Sequence, residues 1–165
     1  MQDMRQDLWN IPLPKTCIIG ADLRLTKMES GPYFFWEIRK GWDEFKALSL
    51  HTDLGTPERL AALYPVYSSG HRQAQQPADF PQPPVLKRFT PNFLAYDFSP
   101  LPDLKVQVNH IISHPQGVCT RYTYTNLSAR EMSFQCQLVG ITARPGKRIP
   151  FEVEKHQGRN LLVAD

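Results

Sequence analysis

Apolar and polar residues alternate with a period of two over much of this chain, the pattern of a strand with one buried face. Lys15–Thr26 predicts a first strand. There Cys17, Ile19 and Ala21 alternate with Thr16, Ile18, Gly20 and Asp22, then Leu23 and Leu25 with Arg24 and Thr26. The phase shifts near Gly20–Asp22, as a β-bulge would shift it. Ser30-Gly31-Pro32 is a turn, Tyr33–Arg39 a second strand, and Phe45–His51 a third. Three strands in under forty residues is meander spacing. Asn92–Phe98, Leu104–Ile112, Val118–Asn126 and Glu131–Thr142 are further strands, and Ile149–Lys155 and Asn160–Val163 two short ones. In Met132–Leu138, Met132, Phe134, Cys136 and Leu138 share a face opposite Ser133, Gln135 and Gln137, which predicts one buried side and one wet side. The link Asn126–Arg130 has hairpin length, and pairing its flanks brings Cys119 near Cys136. Thr56–Tyr64 reads equally as a proline-started helix or a short strand. Ser68–Pro84, polar and proline-rich, reads as a long surface loop.

Composition narrows the class. The chain has 165 residues, 41% of them hydrophobic, enough for one packed domain spanning 1–165. Fifteen prolines are incompatible with a bundle of long helices. The expected fold is all-β, a mostly antiparallel β-sandwich of about nine to eleven strands. It carries a Pro-rich loop at 68–84 and at most one or two short helices. A net charge of +3 is not the basic stripe of a nucleic-acid binder. The N-terminal residues lack a secretory h-region, and no segment has the length of an apolar membrane span. Three cysteines, none in a CxxC pair, fit a reducing compartment, so a cytoplasmic protein is expected. The chain stops at Asp165 straight after a predicted strand, which reads as the N-terminal part of a longer protein.

Candidate chemistry is sparse. His110 and His114 are four apart, a metal-ligand spacing on a helix. On a strand that spacing is about 13 Å, so hydrogen-bonded or solvent-facing histidines are expected instead. Glu37, Asp43 and Glu44 lie near Trp36 and Trp42, where a glycosidase would need two carboxylates across a sugar ring. Surface loops commonly place acids beside aromatics, and no catalytic residue is assigned. Cys119 lacks the histidine and electropositive pocket of a nucleophile. No metal site and no cofactor are expected. The aromatic run Tyr33–Trp36 cannot all face one core, so part of it points outward or against another domain. Tyr33, Trp36 and Trp42 are the residues expected to contact carbohydrate, with burial at a domain interface as the other reading.

Several stretches together resemble a family. RYTYTNLSAREMSFQCQLVGITARP at Arg121–Pro145 resembles the Thr-Asn-x-Ser hairpin of N-terminal β-sandwich domains in bacterial glycoside hydrolases with a six-hairpin α/α barrel. Ala47–Ser68 and Thr90–Pro100 are similar to parts of such proteins, some of them amylo-α-1,6-glucosidase-like or glucosidase-like. In that family the barrel C-terminal to the sandwich carries the catalytic carboxylates, and this chain has no such barrel. The resemblance therefore implies a non-catalytic accessory domain packing against a C-terminal catalytic domain of the same polypeptide. The alternatives are a free-standing sugar-binding sandwich and a structural module of an assembly.

Overall fold

Thirteen strands form among the described residues of the computed structural model, which are 9–20, 35–41, 46–52, 60–114, 117–143, 151–156 and 159–164. Five build one antiparallel sheet: β1 (Ile11–Pro12), β7 (Gln82–Thr90), β8 (Phe93–Leu101), β9 (Leu104–His114) and β10 (Gly117–Asn126), in the order β1-β7-β8-β9-β10. Six build the second: β2 (Thr16–Gly20), β3 (Phe35–Lys40), β4 (Leu48–Thr52), β5 (Leu60–Ser69), β6 (Arg72–Ala74) and β11 (Gln135–Ala143). Their order is β11-β5-β4-β3-β2, with β6 also paired to β5. β12 (Phe151–His156) and β13 (Arg159–Ala164) form a separate hairpin. The fold is the all-β sandwich that the alternation predicts. The strand count exceeds nine to eleven: β1 and β6, at two and three residues, are too short to show a period, and β7, which no expected strand covers, begins inside the expected Pro-rich loop. Among the described residues no helix is long and apolar enough to cross a membrane.

The core lies between the sheets. Ile19, Ile38, Leu48, Leu50 and Tyr67 of one sheet meet Leu86, Leu94, Tyr96, Phe98, Val106 and Val108 of the other. Over Thr16–Gly20 the predicted phase of the first strand holds: Cys17 and Ile19 are buried, while Ile18 between them is 55% exposed; Ala21–Thr26 lie outside the described residues. β4 departs from one-sided burial, since Ala47, Ser49 and His51 on its other face are buried too. Ala47 clusters there with Tyr64, Val66 and Val139.

The chain crosses between the sheets three times, from β1 to β2, from β6 to β7 and from β10 to β11. The last crossing corrects the hairpin expected around Asn126–Arg130. β10 pairs with β9, and β11 pairs with β5. Cys119 lies opposite Ile111 and Cys136 opposite Tyr67, so the two cysteines are not cross-strand neighbours. Alternation fixes which side chains share a face but not which strand lies alongside.

Three other expectations are refined. Leu60–Tyr64 is strand, the start of β5, while Thr56–Arg59 lies outside the described residues. The segment 68–84 holds β6 and a 3₁₀ turn at Pro77–Asp79. Ala74, Phe80 and Pro84 anchor it to the core, with Phe80 stacked on Phe98 at 5.1 Å between ring centroids. On β11 the expected buried face is not buried. Met132 and Phe134 pack against the core ahead of the strand, but Cys136 and Leu138 are exposed. β11 is an edge strand, and the opposite sheet ends at β10, so its inward side chains have no facing layer.

Candidate functional site

Polar groups meet at two buried places. On the outer face of the second sheet, strand register sets Glu37 opposite His51 and Arg39 opposite Ser49. Glu37 accepts a charged hydrogen bond from Arg39 at 2.6 Å, and Ser49 Oγ lies 2.6 Å from His51 Nε2. A serine, a histidine and a carboxylate on one face suggest hydrolytic chemistry. However, Ser49 and His51 are each only 2% exposed, and a nucleophile that substrate cannot reach does no chemistry. The contact is a buried polar network. Alternation over Phe45–His51 puts Ser49 and His51 on one face of the strand, but it does not show that they touch. Asp43 and Glu44 lie outside the described residues.

His110 is the second. It sits between the sheets, with Nδ1 2.8 Å from Thr120 Oγ1 and Nε2 3.2 Å from the Tyr96 hydroxyl. Burial disfavours its charged form and pulls its pKa down to about 4. Both ring nitrogens are engaged, as expected for a hydrogen-bonded rather than a metal-binding histidine. The side chain of His114 lies outside the described residues. Among the described residues no cluster of three His, Cys, Asp or Glu could hold a metal ion.

The surface best suited to an interaction is the open side of the sandwich between β10 and β11. Tyr122 and Tyr124 stack there at 6.4 Å, and Tyr124 meets Phe134 at 5.2 Å and Tyr67 at 6.5 Å. Burial raises the phenol pKa values of Tyr67 and Tyr122 above the usual range, so both stay neutral. The row then runs out into solvent: Tyr124 is 40% exposed, Leu138 43% and Leu127 54%. β10 and β11 end their sheets here, each paired on one side only among the described residues. β11 carries no charge and no proline, the two devices that usually protect an exposed edge.

Leu127–Phe134, which joins these edges, is held by its own side chains. Asn126 Nδ2 donates to the Arg130 carbonyl at 2.6 Å, and Asn126 Oδ1 accepts from the Ser128 backbone N–H at 2.9 Å. Ser128 Oγ lies within 2.9 Å of both Asn126 Oδ1 and the Arg130 carbonyl, with one proton to serve either. The Leu127 N–H donates to the carbonyl of Asp103 in the β8–β9 turn at 2.7 Å. The Asn-x-Ser sequence is thus a side-chain-stapled turn. Asn126→Ala should lower stability by about 1–2 kcal/mol by freeing these partners, and Leu127→Ala by less than about 0.5 kcal/mol. Urea unfolding of the two variants checks the contrast.

Of the residues expected to contact carbohydrate, Trp36 lies on β3, paired with Ile19 and Thr52. It is half-buried against the core, and its buried indole Nε1 has no hydrogen-bond partner among the described residues. Tyr33 and Trp42 lie outside the described residues. Cys17 is buried, which pushes its thiol pKa up, and Cys119 and Cys136 are exposed free thiols.

Comparison with protein-family models, with curated proteins and with solved structures finds no significant match to this chain.

Proposed function

We propose that the chain is a non-catalytic accessory β-sandwich domain of a carbohydrate-active enzyme, packing through its open side against the catalytic domain of the same polypeptide. One observation carries the packing half of this reading. Among the described residues, the inward-facing apolar side chains of Tyr124 and Leu138 are left uncovered between two strand edges that have no further partner. A free-standing sandwich would lose stability and invite aggregation by presenting such an edge. The carbohydrate half rests on the family resemblance of Arg121–Pro145, whose Thr-Asn-x-Ser sequence forms the stapled corner beside that edge. Its free thiols fit a cytoplasmic setting.

The test separates the domain from its partner. Leu138→Asp should change the stability of the 165-residue chain by no more than about 1 kcal/mol, because the side chain is already exposed. In the native gene product the same change should lower the melting temperature and the glycosidase activity together. Equal, small effects in both would contradict the packing. Hydrolysis of glycosides by the purified 165-residue chain would contradict the accessory role.

A further inference from the structure

A thiol and two phenols converge on the open side of the sandwich. Cys136 of β11 lies directly opposite Tyr67 of β5. Cys136 shares the inward phase of Phe134 and Leu138, so it and Tyr67 stand on the same face of their sheet. Cross-strand partners on one face have Cβ atoms about 5 Å apart. Tyr124 of β10 approaches both from the other sheet, its ring 6.5 Å from that of Tyr67. Burial, and then the neighbouring Cys136 sulfur, push the Tyr124 phenol above its usual range. Burial does the same to Tyr67, and of the charges around that phenol Cys136 adds the largest share.

One of these groups is unsatisfied. Tyr67 is 0% exposed, yet its hydroxyl has no hydrogen-bond partner among the described residues. A buried O–H without an acceptor costs stability, and such a group in a folded protein calls for an explanation. Cys136, by contrast, is an exposed free thiol that a small solute reaches. Its sulfur stands between solvent and the unused hydroxyl. An oxygen atom added to that sulfur would supply the missing acceptor.

We propose that Cys136 is a site of oxidation by hydroperoxides, whose sulfenic acid is held by the Tyr67 hydroxyl. The Cys136 thiolate attacks the terminal oxygen of the peroxide, the S–O bond forms and the O–O bond breaks. Sulfur gives up two electrons, and the departing hydroxide or alkoxide takes a proton from water. The new oxygen then accepts from the Tyr67 O–H. Neither other cysteine is placed to turn the product into a disulfide. Cys119 lies on the outer face of the opposite sheet, and Cys17 is buried on β2, at the far edge of the sheet that β11 begins.

The experiment treats the 165-residue chain with hydrogen peroxide, removes the excess with catalase and adds dimedone at intervals. Peptide mass spectrometry reads the label at each cysteine. Cys136 should be labelled about fivefold more than Cys119 or better, although both are exposed thiols. Tyr67→Phe removes a hydroxyl that makes no hydrogen bond, so its urea midpoint should equal or exceed the wild type's. In that variant the sulfenic acid should decay about threefold faster or more. Equal labelling of Cys119 and Cys136 would overturn the site. An unchanged decay in Tyr67→Phe would overturn the role of the hydroxyl, and so would a lowered urea midpoint, which would mean that the hydroxyl is already bonded. None of these outcomes touches the accessory-domain reading, which stands or falls on the native gene product.

Discussion

Phe98→Ala should cost about 3–5 kcal/mol, the largest loss expected of any single truncation in this sandwich. Phe98 is 2% exposed and central to the aromatic core. It stacks on Phe80 at 5.1 Å and on Tyr96 at 6.0 Å, and meets the edge of Tyr67 at 5.9 Å. These partners come from the Pro-rich segment, from β8 itself and from the opposite sheet. Removing the ring therefore opens a cavity where three parts of the fold converge, and none of them can collapse into it without leaving its own contacts. Domains of this size are stable by about 5–15 kcal/mol, so the variant should be marginal. Urea unfolding followed by circular dichroism checks the value. A loss below about 1.5 kcal/mol would mean that the Pro-rich segment and the two sheets do not meet at this ring.

Acid should destabilise the protein through His110. Unfolded, its imidazole titrates near 6.5; folded, near 4, because burial penalises the cation. Between those values the unfolded chain binds one more proton than the folded one, so stability falls as the pH drops from 6.5 toward 4. At pH 5 the expected loss is about 2 kcal/mol. His110→Gln removes the titrating group while keeping a side chain that can bond Thr120 and Tyr96. Its unfolding free energy should therefore be flatter than the wild type's between pH 7 and pH 5, whatever its absolute stability. Parallel pH profiles for the two proteins would contradict the buried, neutral state of His110.

The sequence made the strands legible because alternation is a local signal. Cys17 and Ile19 point inward and Ile18 outward, as their spacing requires. Neighbours were not legible in the same way. The link Asn126–Arg130 has the length of a hairpin, yet it turns a corner between sheets, with β10 paired to β9 and β11 to β5. The exposed Leu138 on a cleanly alternating strand has the same origin: periodicity reports a face, and only the topology says whether a layer lies over it. The proline-rich segment reads as solvent-exposed loop by composition, but Ala74, Phe80 and Pro84 dock it on the core.

The most direct measurement is the size of the native gene product, by immunoblot of host extract with an antibody raised against this domain. An accessory domain of a larger enzyme predicts a band several times larger than 19.0 kDa. A band near 19.0 kDa would contradict it, because the chain would then carry its open side with no catalytic domain to cover it.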